Sequence, residues 1–404
     1  MATPDPTAGF TDMQWYMYRQ RNVAFFAAYT ARAFSDADLL AAARSLVDLA
    51  PQLRLGYTGA AADRPIPDDV LRRLTYKESV ATLDGFPERW VDRGDAVLSD
   101  PGLPLFRIRY AEAATPTAEG RAGFILVQVS HALVEGADSA LLSRSQSAQH
   151  PTSRSTRETA PLVKAAATGL GAVLASLHLL AGNFVTVRPG PFGYVSRAYP
   201  RALFSQLARD WGVRQRALFY ALALHTLFES GTPAGKRQIS STYSSIDEGG
   251  GADRDAFMRM RMRFAVFHNA PDFPTFVRAL DARLTEAEAK ESGFNAELNA
   301  EGIRLHRKLS RVLPGAYTPK MFQFMPYDAV LGLIPPHRLG GKLTAGLIEP
   351  VFAGAALEGA NACVIVPNRQ FVTFNFYIQQ KLLPSVSRLD AILRTLIPGS
   401  DFGR

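Results

Sequence analysis

The sequence predicts an α/β chain of two subdomains, each a mixed sheet with flanking helices. Three observations predict it: chain length, apolar runs alternating with helical periodicity in both halves, and a polar break near the middle. A chain of 404 residues is long enough for two domains. Hydrophobic residues make up 47% and charged residues 20%, proportions that can fill a buried core. They exclude the collagenous, disulfide-rich and disordered classes.

Taken in order, Phe25 to Phe34 and Leu105 to Tyr110 have the apolar bias of strands. Asp36 to Leu49 follows a serine–aspartate start and carries Leu39, Leu40, Ala43, Leu46 and Val47 on one helical face. Gly123 to Val129 is a short run of large and branched apolar residues, which reads as a buried strand, and Gly136 to Ser147 reads as a helix. Pro, Ser, Thr and Arg dominate residues 150 to 158, the composition of a crossover. The uncharged stretch Ala165 to Val185 reads as a buried or interfacial helix, because His178, Asn183 and three glycines make it a mediocre membrane span. Strand Tyr194 to Arg197, helices Arg201 to Trp211 and Ala217 to Phe228, and strand Met258 to Phe267 follow. Phe276 to Lys308 reads as mostly helical, Gly346 to Ile378 as further strands, and Val386 to Leu396 as a closing helix. The expected organisation is an N-terminal subdomain over residues 1–150, a crossover over 151–190 and a C-terminal subdomain over 191–404.

The net charge of +8 favours anionic partners. No basic helix, zinc spacing or aromatic–basic motif accompanies it, so a nucleic-acid partner is not expected. The one cysteine, Cys363, lies in an apolar strand-like run and reads as a packed thiol. Met1 to Gly9 lacks the basic start and apolar run of a signal peptide. The expected location is the cytoplasm. Lys164 and Arg188 bracket the uncharged stretch, which adds an expectation of peripheral contact with the inner membrane face.

The sharpest chemical feature is Ser130-His131-Ala-Leu-Val-Glu135-Gly136, placed between the buried strand and the next helix. A histidine at a strand end, beside an apolar wall, stays neutral and can accept a proton. Glu135 lies four residues on, and Gly136 permits an unusual turn. A metal site at His131 and Glu135 would need a third ligand that nothing nearby supplies, so no metal is expected. Gly340 to Thr344 lacks the full spacing of a phosphate loop and reads as a turn.

The His131 stretch resembles the His-His-x-x-x-Asp-Gly signature of the thioester-dependent acyltransferase superfamily. That group includes chloramphenicol acetyltransferase, peptide-synthetase condensation domains, plant alcohol acyltransferases and bacterial wax ester synthase/diacylglycerol acyltransferases. Asp100-Pro-Gly-Leu-Pro104-Leu-Phe-Arg107 is similar to the aspartate, Pro-Leu and arginine that precede the motif in that group, and Tyr194 to Leu227 resembles its strand–helix–helix. The resemblance implies two chloramphenicol-acetyltransferase-like subdomains with a channel at their interface. It implies His131 as general base, with Glu135 and Gly136 as structural support and Asp138 as an alternative to Glu135 in its ion pair. It implies no cofactor: acyl-CoA or an acylated carrier protein would be a substrate, and a lipid-like acceptor, alcohol or amine would receive the acyl group.

The chain departs from the pattern at several points. Ser130 replaces the first, largely structural histidine, and Glu135 replaces aspartate. Arg216-Ala217 stands where wax ester synthases carry Asn-Asp, and Ala329-Val330 where many relatives carry Ser-Asn. No oxyanion donor stands out; Tyr327, Thr344 and Asn375 are chemically able candidates lining the expected channel. A second reading follows from these losses, a member that kept the fold and recruits a carrier protein or partner enzyme without chemistry.

Overall fold

A computed structural model describes residues 7, 9–58, 64–91, 102–133, 191–231, 238–246, 260–268, 270, 272–289, 294–312, 329–334, 346–357 and 361–397. The expected helix Gly136 to Ser147, the crossover 151–190 and its uncharged stretch lie outside these residues.

The first lobe opens with α1 (Asp12–Arg19), whose start is closed by a capping box between Thr11 and Gln14. Strand β1 (Val23–Thr30) follows. It stops four residues short of the expected Phe34, because the chain must turn there to enter α2 (Asp36–Leu49). Ser35 caps α2 by accepting from the Asp38 N–H, and Asp38 reaches back to the Ser35 N–H. Phe34 instead stacks on Tyr110, and its N–H donates to the Tyr110 hydroxyl at 3.1 Å. Short helices α3 (Leu55–Thr58) and α4 (Asp68–Arg73) lead to β2 (Thr75–Val80), a half-exposed strand with no strong apolar signal. Strands β3 (Phe106–Ala113) and β4 (Gly123–Ser130) complete this part, and every residue of β4 is buried.

The second lobe contains β5 (Phe192–Pro200), α5 (Arg201–Trp211), α6 (Gln215–Gly231), β6 (Gln238–Ile246) and β7 (Met260–His268). The expected helical stretch 276–308 is two helices, α7 (Phe273–Ala289) and α8 (Phe294–Val312). Strands β8 (Ala329–Leu333), β9 (Leu347–Ala356), β10 (Ala362–Pro367) and β11 (Phe371–Gln379) precede α9 (Ser387–Leu396). Gly212, in the left-handed conformation, ends α5 without the Cβ penalty another residue would meet. Arg214 then ties α6 to α7: its Nε donates to Asp281 Oδ1 at 2.5 Å and its Nη2 to Thr285 Oγ1 at 2.7 Å. Cys363 is buried in β10, and burial pushes its thiol well above the ordinary value. Among the described residues, no helix is long and apolar enough to cross a membrane.

Both sheets are mixed. The first runs β2-β3-β4-β1-β9 and the second β5-β11-β10-β8-β6-β7. Strand β2 is parallel to β3, and the β10–β8 and β6–β8 pairs are parallel; the other pairs are antiparallel. Strand β9 comes between two strands of the second sheet in sequence, yet it pairs with β1 of the first. Its register shifts between Ala28 and Tyr29, where Glu349 and Pro350 have no opposite partner. Pro350 has no N–H to donate, so the ladder breaks there. The freed Glu349 carboxylate accepts from the N–H groups of Arg369 (3.1 Å) and Gln370 (3.0 Å), in the turn between β10 and β11.

A shared core lies where the lobes meet. Phe25, Tyr29, Phe124, Leu126 and Phe352 from the first sheet pack with Tyr194 and Tyr377 from the second, and with Phe86 and Trp90 from the loop after β2. That loop also carries Glu88, whose Oε1 accepts from the Ser196 N–H at 3.0 Å. Since β5 is an edge strand, Glu88 satisfies a backbone donor that has no neighbouring strand. The second lobe has its own core, in which Phe374 is fully buried against Tyr199, Phe204 and Phe219.

Two stability predictions follow from this packing. Phe374→Ala leaves a cavity and should cost about 3–5 kcal/mol in urea denaturation. At Gly354 an added Cβ would lie 2.7 Å from Phe25 Cζ, inside the shared core. Gly354→Ala should therefore lower stability by about 1–3 kcal/mol, read as an earlier urea midpoint.

Candidate active site

Strand β4 runs through the middle of the first sheet, bonded to β3 on one side and β1 on the other. It ends at Ser130, whose N–H donates to the Leu105 carbonyl at 2.8 Å. The next residue is His131. Its N–H donates to the Asn22 carbonyl at 2.8 Å, so the β4–β1 ladder continues one step beyond the last paired strand residues, Val23 and Ser130. The chain then turns tightly, with the Leu133 N–H bonded to the Ser130 carbonyl at 2.9 Å.

Burial around this turn is uneven. Ser130, Ala132 and Leu133 have no exposed surface, and Ala132 and Leu133 belong to the first lobe's core. His131 is only half-buried. With fully buried neighbours on either side, the backbone is pinned, and His131 is the one residue from Ser130 to Leu133 with exposed surface. Its Nδ1 is buried. Ser130, standing where the signature has its first histidine, acts within the turn: its Oγ accepts from the Ala132 N–H at 3.4 Å.

Arg107 lies on β3 directly opposite Gln128 of β4, and its Nε donates to the buried Gln128 Oε1 at 2.7 Å. The sheet thus joins Arg107 to the histidine strand, 21 residues on in sequence. Glu135, Gly136 and Asp138 lie outside the described residues, as do Tyr327 and Thr344. Asn375 is described, and it sits in the second sheet rather than at the His131 turn. It is 2% exposed, and its amide is engaged within the protein. Oδ1 accepts from the Tyr194 hydroxyl at 2.7 Å, while Nδ2 donates to the Val364 carbonyl at 3.0 Å and to Thr373 Oγ1 at 3.3 Å. With both hydrogens so used, Asn375 cross-links strands β5, β10 and β11. Burial holds the Tyr194 phenol well above its ordinary value, so it remains a donor to Asn375.

Two residues unmarked in the sequence stand beside the histidine. Gln20 and Asn22 form the turn between α1 and β1, both buried, and Asn22 Nδ2 donates to Gln20 Oε1 at 3.0 Å. Only the strand register reveals them. No three His, Cys, Asp or Glu side chains gather as a metal-ligand set among the described residues.

No family model matches the chain, and no curated protein matches it. Solved structures do. The trichothecene 15-O-acetyltransferase TRI3 of Fusarium sporotrichioides superposes with a TM-score of 0.55 at 12% identity, covering 97% of each chain. The EpoB peptide-synthetase cyclization-docking bidomain of Sorangium cellulosum gives 0.53 at 13% identity, over 97% of this chain and 86% of that one. The wax ester synthase/diacylglycerol acyltransferase of Marinobacter aquaeolei VT8 gives 0.50 at 12% identity, over 96% and 97%. At these identities the likeness is one of fold. The chain has the two-lobed fold shared by condensation domains and these acyltransferases.

Proposed function

We propose that the chain is an acyltransferase with His131 as its general base. It moves an acyl group from a thioester, on coenzyme A or an acyl carrier protein, to a hydroxyl or amine; a lipid-like or alcohol acceptor is the favoured class. The observation that carries this reading is the placement of His131 at the end of the fully buried central strand β4, half-buried in a turn whose neighbours are locked in the core.

In the proposed reaction, thioester and acceptor meet at His131 in a channel between the lobes. Nε2 takes the acceptor's proton as its oxygen or nitrogen attacks the thioester carbon. The tetrahedral intermediate collapses with cleavage of the C–S bond, and the protonated imidazole returns the proton to the departing thiolate. General-base help of this kind contributes about 10²–10⁴-fold. The developing oxyanion needs a donor as well. Tyr327 and Thr344 are the proposed donors, because the hydrogens of Asn375 are already committed. Glu135, Gly136 and Asp138 are proposed to hold the loop that follows the histidine. With a lipid acceptor the enzyme would work at the inner membrane face, touching it peripherally.

The test uses a panel of acyl-CoAs and acylated carrier protein with long-chain alcohol and diacylglycerol acceptors. His131→Ala should lower transfer by about 10²–10⁴-fold with an unchanged melting profile. Turnover that survives the substitution removes His131 from the mechanism. A parent protein that binds carrier protein and turns over none of the thioesters would favour the recruitment reading.

A further inference from the structure

We propose that Asn22 is a positioning residue for His131, set against the imidazole by strand register and held in place by Gln20. The inference rests on the reading of His131 as the base, and it names the groups that aim it.

Register supplies the first part of the argument. Strands β1 and β4 are antiparallel, and Val23 faces Ser130. The next pair outward is Asn22 and His131, joined by the bond from the His131 N–H to the Asn22 carbonyl at 2.8 Å. Residues directly opposite in an antiparallel pair project to the same side of the sheet, with Cβ atoms about 4.5–5.5 Å apart. Register therefore places Asn22 directly opposite His131, with the two side chains set on the same side of the sheet.

Burial and hydrogen bonding supply the second part. Asn22 is 3% exposed and Gln20 4%, unusual for amide side chains in a turn, which normally face water. Their mutual bond, Asn22 Nδ2 to Gln20 Oε1 at 3.0 Å, fixes which way the Asn22 amide points. With Nδ2 turned to Gln20, Oδ1 is directed away from it.

The backbone between them supplies the third. Arg21, the residue separating the two amides, has φ of +54°, and it is the only non-glycine residue with positive φ among the described residues. The left-handed region is unfavourable for an arginine, whose Cβ crowds the following carbonyl. Arg21 directly follows the Gln20 C-cap of α1, where a left-handed residue ends the helix, and this turn carries the two buried side chains on either side of it.

The turn is anchored from the far side of the chain as well. Helix α8 grips the start of α1: Arg307 Nη1 donates to the Phe10 carbonyl at 2.7 Å and to Asp12 Oδ1 at 3.0 Å. Arg304 reaches the same Asp12 carboxylate at 3.5 Å. Helix α1 runs from that clamp directly into Gln20. Asn22 is thus held through α1 by a helix nearly 300 residues away in sequence, and it passes that rigidity to the histidine.

The test titrates the imidazoles of the full chain by two-dimensional NMR, with His131→Ala identifying the His131 signal among seven histidines. In Asn22→Asp a carboxylate replaces the amide beside the ring and favours its charged form. The His131 midpoint should rise by about one pH unit, while the other six stay where they are. Gln20→Glu keeps an acceptor for Asn22 Nδ2 and sets the negative charge one residue further off, so a smaller rise in the same direction is expected. It also serves if Asn22→Asp does not fold. In Asn22→Ala, acyl transfer should fall about 10–100-fold through kcat, with KM nearly unchanged, since loss of aim at the base alters the transition state. Midpoints for His131 that match the parent in both acidic variants would overturn the proposal. The catalytic reading fails separately, if His131→Ala leaves transfer intact while the midpoints still move.

Discussion

The pairing of β9 with β1 is the constraint on which the rest of the structure depends. Strand β9 leaves the second sheet after β8, adds to the edge of the first, and returns to the second as β10. Its backbone groups are satisfied by β1 on one edge, while Thr373 Oγ1 donates to the Val351 carbonyl at 2.9 Å from the second lobe. Burying a strand edge without such partners would cost a hydrogen bond per backbone group. Separating the lobes would therefore expose apolar rings and also break a sheet ladder. The lobes are joined by secondary structure, and their relative placement is a property of the fold.

That placement determines where a site can form. The core between the lobes gathers rings from both sheets, with Tyr194 set edge-on to Phe25 at 5.2 Å, and Gly354 leaves room for the Phe25 ring. Strand β1 meets this core on one face and continues back, through Asn22, to the histidine turn. The same strand thus bonds to β9, packs against the second lobe and holds the His131 backbone. An imidazole at the end of a central strand has both neighbours buried, so its backbone has little freedom and its direction is set by register.

Polar side chains that bridge elements follow the same logic. Glu88 satisfies the edge of β5, Glu349 the turn between β10 and β11, and Asn375 three strands of the second sheet. Each gives a backbone N–H or carbonyl a partner from a different element, which ties the elements together. Asn375 shows how the two kinds of polar residue differ. By its chemistry it could line a channel, but its amide is consumed by Tyr194, Val364 and Thr373, whereas His131 lies in a turn and is only half-buried.

Periodicity and local capping were legible in the amino-acid sequence because they act within a few residues. Helix α2 occupies Asp36 to Leu49 with Ser35 at its cap, β4 differs from the expected strand by one residue, and Cys363 is a packed thiol. The histidine motif pointed to the fold that solved structures share. Strand β2 escaped notice because half-exposed Thr-Tyr-Lys-Glu-Ser-Val carries no apolar alternation. The sequence alone also could not show that β9 crosses to the first sheet, that Arg107 meets Gln128, or that Asn22 faces His131. Those pairings depend on which strand lies beside which and in what register. A one-residue slip would turn every side chain to the other face, and only the packing of the whole chain selects among the registers.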